Sequence, residues 1–149
     1  MPEIKKQLPL VTESNKAFWE AARRHELAAY KCRSCGALCT REAACAACGA
    51  DGGEWVKVSG RGEVFTFCVY RQSFHPAWRD DVPYNAAYVK LAEGPLLMTN
   101  IVGCENKDIY IGMAVEVTFD DITPEVTLPR FRPAGINKSE YQNSNEGRK

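Results

Sequence analysis

The chain of 149 residues has no long apolar run, since no stretch approaches the ~20 residues that a membrane-spanning helix needs. It also has no excess of charge of either sign, because 19 Lys and Arg residues balance 19 Asp and Glu residues. Binding to nucleic acid or to an anionic membrane surface normally uses a basic excess. The composition therefore predicts neither nucleic acid nor a membrane as a partner.

The N-terminus lacks the apolar core of a secretory signal, since its first ten residues read MPEIKKQLPL. We therefore expect a cytoplasmic protein in a reducing compartment. Structural disulfides are rare in such compartments, so a disulfide framework is not the expected use of the seven cysteines of this chain.

Histidine is scarce, with only His25 and His75 in the chain. A nucleophilic cysteine needs a nearby base and an oxyanion site, and neither Cys68 nor Cys104 has a histidine beside it in sequence. Both cysteines lie in apolar, strand-like stretches and are predicted to be buried, inert thiols. We therefore predict no catalytic residue in this chain.

Residues 31–49, KCRSCGALCTREAACAACG, hold the strongest pattern in the sequence. Two Cys-x-x-Cys pairs are each followed by a glycine, Gly36 or Gly49, which can adopt the positive φ that such a turn needs. Four thiolates that converge from two such turns suit a tetrahedral ion, most simply Zn²⁺. The predicted metal ligands are Cys32, Cys35, Cys45 and Cys48.

Four cysteine ligands leave no open coordination position, so the predicted zinc is structural and contributes to folding. Iron in a rubredoxin-like site is the chemical alternative, because tetrahedral sulfur ligation fits either metal. Cys39 is a fifth cysteine in the same stretch. Its spacing fits neither pair, and we predict that it is not a ligand.

The remaining pattern divides the chain into four predicted segments. Residues 1–26 form an extended arm and a helix, in which Thr12 and Ser14 offer N-cap hydroxyls and Phe18 and Trp19 make one face aromatic. Whether that face packs on this chain or on a partner is left open by the sequence. The other predicted segments are a zinc ribbon at 27–55, a β-barrel domain at 56–133 and a disordered tail at 134–149.

Short runs rich in β-branched and aromatic residues, separated by Gly and Pro, predict a mainly β fold. After a pattern that begins at 54–58, the predicted strands cover 63–71, 84–91, 96–102, 114–119 and 126–128. In the first of these, Val64, Thr66, Cys68 and Tyr70 form one row and Phe65, Phe67 and Val69 the other. Five short strands with a long first one predict a five-stranded OB-fold barrel after the ribbon.

The order of several motifs resembles the acyl-CoA-associated family known as domain of unknown function thirty-five. These motifs are FWEAARRHEL at 18–27, the four-cysteine ribbon, GRGEVFTF at 60–67, VPYNAAYVKLAEGPLLMTNIVG at 82–103, IGMAVEVTF at 111–119 and LPRFRP at 128–133. The resemblance implies a rubredoxin-like zinc ribbon followed by an OB-fold. It also implies a small, non-catalytic subunit in a heteromeric acyl-CoA enzyme, most simply a thiolase-type complex such as benzoylsuccinyl-CoA thiolase.

Such a subunit is expected to hold a thiolase-like catalytic partner and to cover or extend its CoA channel. The candidate partner-contacting residues are Phe18, Trp19, His75 and Trp78. CoA or acyl-CoA shared with the partner would place its phosphates near basic side chains. The candidates for that contact are Arg33, Arg41, Arg61 and Arg71.

Two other functions use the same two modules. A single-stranded nucleic-acid binding module could stack bases on Phe65, Phe67 and Tyr70, although the balanced charge argues against it. A rubredoxin-like electron carrier would hold iron in the ribbon.

Overall fold

The computed structural model describes residues 5–135. One helix, α1, covers Lys16–Arg23. Eight strands follow within the described residues: β1 (Leu27–Cys32), β2 (Leu38–Cys39), β3 (Gly53–Val58), β4 (Arg61–Tyr70), β5 (Tyr84–Leu91), β6 (Leu96–Thr99), β7 (Ala114–Asp121) and β8 (Thr127–Pro133). The predicted class, mainly β with one N-terminal helix, is confirmed. In the part of the chain that is described, no helix is long and apolar enough to cross a bilayer.

Helix α1 is shorter than the three turns predicted, and its N-cap is Asn15 rather than Thr12 or Ser14. The Asn15 side chain makes no bond to the helix amides. It turns back instead, accepts from the Thr12 N–H and donates to the Leu10 carbonyl. Thr12 and Ser14 bond to each other through their hydroxyls. The hydroxyl caps were therefore a wrong prediction, since these groups serve the turn that precedes the helix.

The helix packs on its own chain. Ala21 and Ala22 are buried, and Phe18 packs against the core. The surfaces beneath the helix belong to β1 and β8. The sequence left open whether this helix face packs on its own chain or on a partner, and in the structure it packs on its own chain. A two-turn helix gains its stability from such burial of one face.

Strands β1, β2 and β3 form an antiparallel sheet in the order β2-β1-β3. Strand β3 pairs with β1 over its whole length, from Leu27 opposite Val58 to Cys32 opposite Gly53. The predicted boundary between residues 55 and 56 therefore falls inside β3. Leu27 and Ala29 of β1 share one core with the barrel residues Val64 and Phe131, so the base of the ribbon and the barrel are packed together.

The second sheet has the order β6-β5-β4-β7-β8 and is antiparallel throughout. It closes where Ile101, just after β6, forms a parallel bridge to Phe131 of β8. The Phe131 N–H donates to the Asn100 carbonyl, and the Phe131 carbonyl accepts from the Val102 N–H. This strand order and its parallel closure are those of a five-stranded OB-fold, as predicted.

Four of the five barrel strands have boundaries that differ from the prediction. Strand β4 covers Arg61–Tyr70 rather than 63–71. Strand β6 ends at Thr99, because the chain turns there to reach β8, whereas the prediction ran to Val102. Strand β7 continues past Phe119 to Asp121, and β8 extends from Thr127 to Pro133. The last strand was predicted to end at Leu128, before Pro129, but Pro129 and Pro133 both lie within β8. Both prolines are tolerated because, among the described residues, the edge of β8 away from β7 is paired only at the Phe131 bridge, so a missing N–H at positions 129 and 133 is no loss there.

Strand β4 contains a bulge between Val64 and Thr66. Val64 is 1% exposed, whereas Phe65 is 50% exposed and Thr66 is exposed as well. The extra residue reverses the alternation, so that Phe67 packs inward and Cys68 is exposed. The prediction that Cys68 is buried was therefore wrong. Cys104 is half-buried, and the predicted tail lies outside the described residues from position 136 onward.

Candidate metal centre and binding surfaces

Two turns of the same design carry the four cysteines. In the first, the Cys32 N–H donates to the Ala37 carbonyl and the Gly36 N–H donates to the Cys32 carbonyl. In the second, the Cys45 N–H donates to Ala50 and the Gly49 N–H donates to Cys45. Gly36 and Gly49 have φ of 75° and 76°. The predicted need for glycine at both positions is confirmed, since a side chain is strained in that region.

The sulfur atoms of Cys32, Cys35, Cys45 and Cys48 all lie within 4.8 Å of one another. Cys32 Sγ is 3.7 Å from Cys48 Sγ, and Cys35 Sγ is 3.5 Å from Cys45 Sγ. A tetrahedral ion with metal–sulfur bonds of 2.3 Å requires sulfur–sulfur distances of about 3.8 Å. The four thiols therefore fit a metal ion such as zinc, and they are the cysteines that the sequence pattern predicts.

The thiols are arranged to lose protons unequally. The Cys35 amide, as the main cause, lowers the pKa of Cys32 to about 6. The Ala37 amide also lowers the pKa of Cys35, but hydrogen bonds with Cys45 and Cys48 outweigh it and raise that pKa to about 12. Four sulfurs this close resist full deprotonation because the thiolates repel one another. A bound cation removes that cost, which is why such clusters couple metal binding to proton release.

Cys39 stands apart from this cluster. It lies on β2, and its Sγ donates to the Arg41 carbonyl at 2.8 Å. Among the described residues, the cysteines close enough to hold one ion are the four named above. The structure thus separates Cys39 from the metal centre.

The four arginines predicted for CoA lie on different parts of the molecule. Arg33 is in the first cysteine turn, where its guanidinium donates to the Gly53 carbonyl, and Arg41 is exposed in the ribbon loop. Arg61 begins β4 and Arg71 follows its end. A ten-residue strand is about 33 Å long, so Arg61 and Arg71 cannot hold the same phosphate. A contact between CoA and any one of them remains a prediction.

The four residues predicted to contact a partner form two pairs. Phe18 meets Trp19 edge to face, with ring centroids 5.0 Å apart, and both rings are half-buried. Trp78 lies in the loop between β4 and β5, is 38% exposed and carries Lys6 Nζ at 5.0 Å from its ring. His75 in the same loop is exposed, and its Nδ1 accepts from the Ala77 N–H. Their contact with a partner also remains a prediction.

His25 has a structural partner as well. It lies two residues beyond α1 with φ of 58°, and its ring stacks on Phe119 at 5.1 Å. Its Nε2 lies 2.9 Å from Asp121 Oδ1. Thr127 Oγ1 also donates to Asp121. Both bonds lower the pKa of the Asp121 carboxyl, and the bond from Thr127 has the larger effect. These contacts tie the end of the helix to the β7–β8 hairpin.

Two features of the structure were not predicted from the sequence. Asn85 is buried inside the barrel, where it bonds both backbone groups of Ile101. Tyr88 and Met98 point outward from β5 and β6 and are exposed. The alternation of β5 does mark two faces, but both faces are apolar, and periodicity alone cannot tell which of two such faces is inside.

Comparison with known proteins follows the same division of the chain. Residues 55–120 match the sequence profile of the C-terminal OB-fold domain of ChsH2. The chain is 30% identical over 118 residues to a DUF35 domain-containing scaffold protein of Methanothermobacter thermautotrophicus, covering 78% of this chain and 88% of that protein. It is 35% identical over 134 residues to a "probable enoyl-CoA hydratase alpha subunit" of Thermomonospora curvata. That match covers 89% of this chain but 41% of the relative, so the chain spans less than half of that protein's length.

Two solved structures are similar to most of this chain. A chain of the Ltp2-ChsH2(DUF35) aldolase is 36% identical in sequence to this chain and superimposes on it with a TM-score of 0.75. The match covers 99% of that chain and 85% of this one. A DUF35 protein of unknown function from Sulfolobus solfataricus, with 14% identity and a TM-score of 0.57, shares the fold. The ribbon, the closed barrel and these matches together place the chain in the DUF35 family.

Proposed function

We propose that this chain is a non-catalytic scaffold subunit of a heteromeric enzyme that acts on acyl-CoA substrates. In this function the zinc ribbon and the barrel hold a catalytic partner and cover or extend the partner's CoA channel. The observation that carries the proposal is the match to the aldolase chain, because this chain covers 99% of it at 36% identity. The likeness therefore extends over both modules and is not confined to the barrel.

The chemistry of the described residues supports a structural rather than a catalytic task. One ring nitrogen of each histidine bonds to a group that fixes a loop, namely Asp121 for His25 Nε2 and the Ala77 amide for His75 Nδ1. The four converging thiols would saturate a metal ion and leave no position for substrate. We propose that this ion is zinc, and that it stabilises the ribbon against which a partner packs.

The partner that we propose is a thiolase-type enzyme, such as benzoylsuccinyl-CoA thiolase. Relatives of this chain are named as an aldolase complex and as an enoyl-CoA hydratase subunit. Thiolases and aldolases both break a carbon–carbon bond and leave the electron pair on the carbon beside a carbonyl group. This shared chemistry favours a carbon–carbon bond cleaving partner over a hydratase.

The test is to purify the chain from its native host under conditions that keep complexes intact. We expect an acyl-CoA enzyme to co-elute in stoichiometric amount, with about one zinc per chain. The complex should catalyse thiolysis of an acyl-CoA, and the chain alone should not. Turnover by the isolated chain would contradict a scaffold role.

The same sample separates the competing functions. Aldol cleavage or enoyl-CoA hydration by the complex, in place of thiolysis, would keep the scaffold role and replace the partner. A red, iron-containing preparation without a partner would indicate an electron carrier. Tight, salt-sensitive binding to single-stranded DNA would indicate a nucleic-acid module.

A further inference from the structure

The outer surface of β4, β5 and β6 is apolar and open to solvent. Six large side chains on it are exposed or half-exposed, and we call them the aromatic face: Phe65, Tyr70, Tyr84, Tyr88, Leu96 and Met98. The most exposed of them are Met98 at 63% and Phe65 at 50%. Tyr, Phe and Met are the residue types that are enriched in protein–protein interfaces.

Strand register makes this surface continuous. Thr66 of β4 lies opposite Tyr88 of β5, and Tyr88 lies opposite Met98 of β6, so one row crosses three strands. At the far end Tyr70 lies opposite Tyr84, with the two rings stacked at 5.0 Å. The bulge beside Val64 is what adds Phe65, because it turns two successive side chains toward solvent.

The centre of the aromatic face carries no charge. Between its two ends, Cys68 lies opposite Ala86, so three successive cross-strand rows of β4 and β5 are uncharged. The first charged pair is Glu63 opposite Lys90, at the edge of the face. An uncharged apolar centre bounded by charged residues is the anatomy of a protein–protein interface.

The size of the face indicates what kind of partner it fits. Six large side chains with these exposed fractions present about 500 Å² to solvent, at about 200 Å² for each complete side chain. That area is at the upper end of the patches found on monomers. Two copies that met through this face alone would bury about 1,000 Å² in total, about half of the 2,000 Å² or more that an obligate homodimer buries. The face suits the apolar core of a standard interface, which covers about 800 Å² on each partner.

We propose that the aromatic face is the docking surface for the catalytic subunit, which meets it with an apolar patch of its own. This inference rests on the proposed function, since it assigns that partner to one surface of the barrel. The second cysteine turn and helix α1 are not part of the face, so contacts there are independent of it.

A charge placed on the aromatic face tests the assignment. We expect Met98→Lys to weaken binding of the co-purified enzyme by roughly 30-fold or more, because a buried interface position would then hold an unpaired ammonium group. Ile122→Lys is the matched control, since Ile122 is 42% exposed in the β7–β8 hairpin, away from the face. It should change the Kd by about threefold or less. Both variants are measured by titration of the reconstituted complex.

Cys68 supplies a second test that needs no substitution. Its thiol is exposed on the row between Thr66 and Tyr70. Iodoacetamide should therefore alkylate Cys68 readily in the free, metal-loaded chain. In the complex we expect its alkylation, followed by mass spectrometry, to slow by about tenfold or more, because a standard interface excludes water from its centre.

The outcomes distinguish this inference from the proposed function. If an acyl-CoA enzyme co-purifies but Met98→Lys binds it normally and Cys68 stays reactive, the docking surface is wrong and the scaffold role stands. If no such enzyme co-purifies, both are wrong. If the purified chain is a dimer that Met98→Lys separates into monomers, the face is a contact between copies, and its assignment to a catalytic subunit is overturned.

Discussion

Asn85 offers the sharpest test of how the barrel is closed. It is 6% exposed and lies on β5. Its Nδ2 donates to the Ile101 carbonyl at 2.7 Å and to Asn106 Oδ1 at 2.9 Å, while its Oδ1 accepts from the Ile101 N–H at 2.7 Å. One side chain thus satisfies both backbone groups of the residue that bridges to Phe131.

The substitution Asn85→Ala removes these bonds and leaves the N–H and the carbonyl of Ile101 without their partners. Ile101 itself is 2% exposed, so water does not readily replace the lost groups. A buried unpaired polar group costs about 1–3 kcal/mol. For two such groups we expect the free energy of unfolding to fall by about 2–6 kcal/mol.

The matched control is Asn106→Ala. Asn106 bonds to Asn85 Nδ2 and to the Pro83 carbonyl but not to Ile101. Its loss leaves the closure intact and should cost about 1 kcal/mol. Both variants are compared with the native chain by urea unfolding, followed by far-UV circular dichroism in excess zinc, so that the ribbon stays folded.

Hydrogen exchange locates the effect. The amides of Ile101 and Val102 should lose protection in Asn85→Ala, while amides in the β4–β5 ladder keep theirs until global unfolding. Equal stability of Asn85→Ala and Asn106→Ala, or unchanged protection at Ile101, would refute the reasoning that this side chain holds the barrel closed.

Three further predictions concern other parts of the chain. Replacing a predicted metal ligand, as in Cys45→Ser, should abolish stoichiometric metal binding and unfold the ribbon, because metal affinity there is folding free energy. Metal analysis checks this, and Cys39→Ser should keep its metal. Gly62→Ala should cost about 1–3 kcal/mol in urea unfolding, because the new Cβ would lie 2.5 Å from the Lys90 carbonyl oxygen. Burial is the larger cause that raises the pKa of the Cys104 thiol, and the charge of Asp108 is the smaller one. The alkylation rate of Cys104 should therefore still be rising with pH above about 9. The variant Asp108→Asn should shift that rise to lower pH.

Each of these has a result that would contradict it. Metal retained by Cys45→Ser at one ion per chain would mean that three thiols suffice. Native stability of Gly62→Ala would mean that β4 and β5 can separate slightly at no cost. A Cys104 rate that levels off at the pH of an ordinary thiol would mean that the half-buried site is open to water.

The cysteine turns show what sequence could predict well. Cys-x-x-Cys followed by glycine specifies a turn through local geometry alone, because the hydrogen bonds of that turn join residues five or fewer positions apart. The metal centre then needs only that two such turns meet. Strand β5 was predicted to its observed ends for a similar reason, since its alternation and its flanking Pro and Gly are local signals.

The bulge in β4 shows where local reasoning failed. No residue type in the sequence marks Phe65 as the extra residue, so Val64, Thr66, Cys68 and Tyr70 were predicted to form one unbroken row. Strand pairing with β5 and β7 decides where the ladder shifts. The exposure of Cys68 and the aromatic face therefore follow from neighbours that lie far away in sequence.

The sequence by itself determined the zinc ribbon pattern, the number and type of the barrel strands, and the absence of a charge excess. These properties depend on residues close together in the chain or on composition. Tertiary structure alone decided that α1 packs in cis, that Asn85 closes the barrel at Ile101, and that one of the two apolar faces of the β4–β5–β6 sheet is left open. The physical reason is that burial is a property of the assembled layers: an apolar row is core or surface according to what packs against it, and that partner is not written beside it in the chain.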